Sequence, residues 1–158
     1  YVRMRTTAIL LRWGMEKFRK EKQGPLLDRA SEIFSVLTLD NFSKLMVNLD
    51  DNDNRRLTGM RSDETHVEVD GMSDGTIDQL YLALRLAAIE EYAQKSQSLP
   101  FVADDLFINY DDSRAAAGFK ALLDLSQKMQ VLFFTHHEHL INVAKQALPQ
   151  ESFLVHEL

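Results

Sequence analysis

Tyr1, Met4, Ala8, Leu11, Met15 and Phe18 recur at alternating spacings of three and four. That rhythm lays an apolar seam along one side of a helix and predicts a helix over 1–22. The seam covers fewer than three heptads, so an amphipathic helix on a globular core fits as well as a coiled coil. Gly24 and Pro25 are expected to stop this helix. A second, short helix follows, with Leu27, Ala30, Phe34 and Leu37 on one face.

The period changes at Phe42. Leu45, Val47 and Leu49 alternate with polar residues, which predicts a half-buried strand. Asp50 to Asn54 form a polar turn. Short strands around Arg56–Met60 and His66–Val69 complete an antiparallel meander over 42–69. A long helix is predicted from about Thr76 to Gln94. Ile77, Leu80, Leu84 and Ala88 mark one face and Leu82, Leu86 and Ile89 another, so it is expected to be buried in a larger assembly. Beyond Pro100 the pattern predicts a buried strand at Phe101–Ala103 and a helix from Asp111 to Gln127, with Phe119, Leu122, Leu123 and Ser126 at helical spacing. A second buried strand at Val131–Phe134, a helix over 137–147 and a last strand at Phe153–Val155 follow. Strands alternating with helices from 101 onward imply a parallel, right-handed α/β arrangement.

Composition narrows the reading. The 158 residues suffice for one domain with its own core. The formal net charge is −6, which argues against a dedicated nucleic-acid module, since phosphate contacts need Lys and Arg. A local basic strip does exist at Arg3, Arg5, Arg12, Lys17, Arg19, Lys20 and Lys22. Without cysteine there is no disulfide framework and no thiolate metal site, which fits a reducing cytoplasm. No apolar run is long enough to span a bilayer, and no signal-peptide pattern opens the chain. The chain opens on Tyr1 in a helical pattern and reads as a piece of something longer.

Three clusters carry candidate chemistry. Gly71-Met72-Ser73-Asp74-Gly75-Thr76 opens the long helix, where free N–H groups and the helix dipole favour phosphate. Thr76 and Gln79 fit a capping box, so a plain capped helix start explains the segment too. Asp104 and Asp105 end a predicted strand, where α/β sheets bind ligands. One carboxylate there can hold Mg2+ and the next can orient a water, or both can be loop acids. Thr135-His136-His137-Glu138-His139 follows the second strand. His136 and His139, with Asp104 or Asp105, suggest a metal cluster. The alternative is one strand-end histidine contacting a phosphate, with the other two on the surface. The acidic run from Asp50 invites a calcium loop, but Arg55 and Arg61 stand where that loop needs Gly and Glu.

The order of these features resembles the C-terminal lobe of ABC-type ATPase heads of the SMC/SbcC/YhaN-like branch. Met72-Ser73-Asp74-Gly75-Thr76 looks like the ABC signature, and Phe101 to Asp105 like the Walker B strand. Asn109-Tyr110-Asp111-Asp112 looks like the D-loop, and Thr135-His136 like the switch histidine. Asp74 for a signature glycine, Asp105 for the usual Glu, and Tyr110 in the D-loop depart from the pattern. The resemblance implies an α/β fold of a P-loop NTPase C-terminal lobe, with parallel strands, flanking helices and a small meander. Residues 1–23 would be a coiled-coil exit helix and 24–158 the lobe. It implies ATP and Mg2+ as ligands, with Asp104 holding the metal, Asp105 orienting water and His136 contacting the γ-phosphate. Met72, Ser73, Asp74, Gly75, Thr76, Asn109, Asp111 and Asp112 would line the nucleotide. The implied partners are an N-terminal Walker A lobe of the same protein, a second head, DNA and a nuclease subunit. The implied role is DNA processing or repair in the cytoplasm, with no membrane. No glycine here is followed by lysine, so the phosphate-binding loop must come from that other lobe. A metal-dependent hydrolase using Asp104, Asp105, His136 and His139, or a non-catalytic binding module, are the other readings.

Overall fold

The computed structural model describes residues 24–49, 54–96 and 99–157. The expected helix 1–22 and most of the polar turn at 50–54 lie outside them. Helix α1 occupies residues 24–37. Gly24 and Pro25 are its first described residues, and whether they stop a preceding helix lies outside the described residues. Proline disturbs the turn before it and is compatible with the turn it opens. Ala30, Phe34 and Leu37 on the predicted face are fully buried. Leu39 and Asp40, both at positive φ, end the helix without a glycine.

Strands β1 (Phe42–Leu49), β2 (Arg55–Arg61) and β3 (His66–Glu68) form the antiparallel meander in that order. The alternation in β1 is only half realised. Leu45 is buried, while Val47 and Leu49 are 50% and 59% exposed. The near end of β1 is tied to α1, where the Leu45 N–H donates to Ser31 Oγ at 2.9 Å. The far end runs past that cover. Gly59 in β2 leaves room for the Phe42 ring, which would lie 2.7 Å from an added Cβ.

Helix α2 runs Asp74–Lys95. It starts earlier than expected because Ser73, not Thr76, is its N-cap. Gln79 is therefore not a capping partner. It is fully buried, and its Nε2 donates to the Leu37 carbonyl at 2.8 Å, serving an orphan acceptor at the end of α1.

Strands β4 (Phe101–Asp104) and β5 (Val131–Phe134) pair in parallel, joined by helix α3 (Asp112–Ser126). Helix α4 (Glu138–Ala147) follows. The core runs through α1, α2, α3 and α4, with Phe107 packed among Phe119, Phe133 and Tyr110. Both strands of the small parallel sheet were expected to be buried. One face is covered, but Val102, Leu132 and Phe134 on the other are 57%, 37% and 44% exposed. Residues 153–155 are not a strand, and Leu154 is 84% exposed. A strand needs a neighbouring ladder, and the described residues provide none there. No helix among the described residues is long and apolar enough to cross a membrane.

Candidate functional site

The register of the parallel ladder pairs Asp104 with Phe134, so β4 and β5 end side by side. Their carboxyl ends form the edge where α/β sheets hold ligands. Asp104 shares the exposed sheet face with Val102, Leu132 and Phe134, and is itself exposed. The chain then turns sharply. Asp105 takes φ 47°, a left-handed conformation uncommon for a residue with a side chain. Its N–H donates to the Phe134 carbonyl at 2.9 Å, extending the ladder by one bond.

That turn brings Asp105 onto the segment after β5. Its Oδ2 lies 2.7 Å from His136 Nδ1. The Thr135 hydroxyl beside it, more than the His136 imidazole, holds the Asp105 carboxyl below the ordinary carboxylate range, against the opposing push of burial. Asp105 is thus an anion at neutral pH, and the contact requires the hydrogen on His136 Nδ1. The His137 N–H donates to Thr135 Oγ1 at 3.1 Å, and the His136 and His137 rings lie 3.9 Å apart between centroids. Two buried side-chain atoms here, Asp105 Oδ1 and His137 Nε2, have no hydrogen-bond partner.

Sequence reasoning placed Asp105 and His136 at strand ends and joined them only through a shared metal, whereas the structure puts them in direct contact. It left His137 on the surface, whereas the structure half-buries it beside the pair. His139, read as a possible metal ligand with His136, pairs with Asp112 instead, Nε2 to Oδ1 at 2.8 Å. The only sequence signal for His137 was its place next to His136 at a strand end.

The segment at 71–76 is built as a helix start. Ser73 Oγ accepts from the Thr76 N–H at 3.4 Å and lies 2.8 Å from Thr76 Oγ1. Met72 is in the core, while Ser73 and Asp74 are exposed. A side chain added at Gly75 would meet nothing within 4 Å, so this position is open to an approaching surface. At 109–112, Tyr110 packs on Phe107, and burial pushes its phenol well above the ordinary value. Asn109 is exposed. Asp111 caps α3, its Oδ1 accepting from the Arg114 N–H at 2.8 Å. A cleft of about 240 Å3 joins these two helix starts, with Thr76 and Gln79 on one side and Arg114 on the other.

No family model matches the chain. It is 33% identical over 132 residues to the uncharacterized protein YhaN of Bacillus subtilis (strain 168), a match covering 83% of this chain. The chain spans 13% of the length of that relative. Among solved structures it resembles an SMC ATPase studied for ATP-driven dimerisation and DNA-stimulated activation, with a TM-score of 0.63 and 15% identity. That match covers 81% of this chain and 77% of the other. The SMC head domain from Thermotoga maritima matches with a TM-score of 0.56 and 17% identity, over 85% of this chain and 44% of that one. The Pyrococcus furiosus Smc head bound to the C-terminal domain of ScpA matches with 0.57 and 15% identity, over 82% of this chain and 34% of that one. The chain thus has the fold of an SMC head, and the likeness falls on the mixed α/β lobe described above.

Proposed function

We propose that this chain, which has the SMC-head fold and a relative in YhaN, is the C-terminal lobe of an ATP-hydrolysing head. Residues 24–158 are the lobe and residues 1–23 the helix by which a coiled coil enters it. The observation that carries the reading is the apposition of an ionised Asp105 with His136 at the ends of two parallel strands.

The residues present fit the implied ligands. Asp104 offers an exposed carboxylate at the end of β4, an oxygen donor suited to Mg2+ held through water. Mg2+ supplies charge neutralisation on the phosphate oxygens when bound. Asp105 spends Oδ2 on His136, and Oδ1 is the acceptor left to orient an attacking water. His136, fixed through Nδ1, points its other nitrogen away from Asp105. Donation from that nitrogen to a phosphate needs the imidazolium form. Ser73, the open position at Gly75 and the start of α2 serve the nucleotide of a second head in trans. Met72 anchors that loop from the core, and Asn109, Asp111 and Asp112 shape the loop before α3. The phosphate-binding loop belongs to an N-terminal lobe of the same protein, and the exposed face of β4 and β5 supports such a neighbour. ATP closes two such heads, hydrolysis parts them, and the arms move. DNA processing, with a nuclease partner, is the work we assign to that cycle.

The test is Asp105→Asn in the full-length protein. Turnover should fall by about a hundredfold or more while nucleotide binding stays within a few-fold. Much weaker binding with normal turnover at saturation would show that Asp105 binds nucleotide and does not position water.

A further inference from the structure

We propose that Asp105, His136 and His137 form a site for a divalent transition-metal ion of the zinc class. Each offers one ligand atom, and these atoms lie within 4.8 Å of one another. A tetrahedral zinc site with bonds of about 2.0–2.1 Å needs ligand atoms roughly 3.3 Å apart. Small side-chain rotations close that gap, because the backbone is already set. The Thr135 hydroxyl holds the His137 N–H, and the left-handed turn at Asp105 aims its carboxylate at the histidines.

The donor set selects the metal. Two imidazoles and one carboxylate suit zinc and its neighbours, whereas Mg2+ takes oxygen ligands. Burial argues the same way. Asp105 Oδ1 and His137 Nε2 are buried without partners, a costly state for polar atoms that coordination relieves. Binding exchanges the Asp105–His136 hydrogen bond for bonds to the ion. Where His136 Nδ1 is the ligand, its hydrogen moves to Nε2 in the neutral ring. Three protein ligands leave a fourth position for water or an anion.

The site also has a consequence that rests on the function proposed above. An ion held here engages Asp105 and His136 together, so neither can serve hydrolysis. Zinc-class metals then inhibit the head by withdrawing its water-positioning carboxylate.

The experiment uses the full-length protein, without a histidine tag and stripped by chelator. Zn2+ is titrated by calorimetry and Co2+ by visible absorption, with circular dichroism to verify folding. Wild type should bind one more ion per chain than His137→Ala and show a tetrahedral cobalt band that the variant lacks. His139→Ala, whose ring is paired with Asp112, should match wild type. If His137→Ala does not fold, His137→Gln takes its place. Equal stoichiometry and spectra in wild type and the His137 variant, or the same loss in His139→Ala, overturn the site. Zn2+ at site-filling concentration should then abolish ATP turnover in wild type, with relief of about tenfold or more in His137→Ala. Binding without inhibition overturns the regulatory consequence alone. Absence of turnover in wild type under all conditions overturns the proposed function, while the binding result stands by itself.

Discussion

Glu90 is 4% exposed, yet it is a carboxylate. Two cations from other elements account for it. Arg29 on α1 grips both oxygens, Nε to Oε2 at 2.8 Å and Nη2 to Oε1 at 2.9 Å. Lys128, just past α3, reaches Oε2 at 2.8 Å. The Arg29 hydrogen bonds outweigh burial and hold the Glu90 carboxyl below its ordinary value of 4.5. A depressed folded pKa stabilises the fold above the unfolded value, and that contribution is lost as pH falls through the folded one. Glu90→Gln should destabilise the lobe by about 2–3 kcal/mol at pH 7. The figure sits at or below the foot of the buried-pair range of about 3–5 kcal/mol because the Arg29 and Lys128 side chains are 34% and 39% exposed, so solvent screens the pair. The gap between wild type and variant should shrink as pH is lowered below about 4, followed by urea unfolding at several pH values. A gap of constant size would show that the charge is not what stabilises. The same scale separates what sequence can and cannot reveal. Asp105 and His136 were legible because each follows a short apolar run. The burial of Gln79 against Leu37 was not legible, because it is a contact between distant segments that no local pattern displays, and the local pattern at Thr76 and Gln79 suggested a capping pair instead.

Between elements, the contact of Gly118 with Phe107 sets how α3 lies on the turn after β4. A Cβ at Gly118 would stand 2.5 Å from the Phe107 ring. Phe107 is 1% exposed and wedged among Phe119, Phe133 and Tyr110, so it has no room to retreat. Gly118→Ala gains about 1 kcal/mol of helix propensity and meets an overpacking penalty of about 1–3 kcal/mol. Because the ring cannot retreat, the upper part of that penalty applies, about 2–3 kcal/mol, and we expect a net loss of about 1–2 kcal/mol in denaturant unfolding. A variant as stable as wild type would mean that α3 can slide on the ring. The elements themselves were largely readable. The meander, both parallel strands and the helices after them stand within a few residues of where periodicity puts them. Residues 153–155 misled because three apolar residues signal a strand whether or not a neighbour exists. Val47 and Leu49 misled because alternation reports only that one face is apolar, not how far its cover extends.

For the whole molecule, the uncovered side of the β4–β5 sheet matters most. Val102→Lys alters an exposed position, so the lobe should keep its stability within about 0.5 kcal/mol. The variant should nonetheless fail to co-purify with a separately expressed Walker A lobe. Undiminished assembly would place that lobe elsewhere. The missing Gly-Lys pair is what leads the sequence to an expectation of such a lobe, whereas nothing in the sequence singles out the exposed sheet face proposed for it. Sheet connectivity has a kinetic consequence as well. The meander closes short loops, pairing Leu49 with Arg55 and Met60 with His66. The parallel ladder pairs Phe101 with Val131 only after all of α3 has been gathered in. Loop-closure entropy makes that second pairing dearer by about 1.5 kcal/mol. In pulse-labelled hydrogen exchange during refolding, amides of β1 and β2 should therefore gain protection before those of β4 and β5. Simultaneous protection would indicate one nucleus spanning both sheets. With the expected order, the Asp105–His136 contact forms late, and a chain caught midway through folding has its meander without its site.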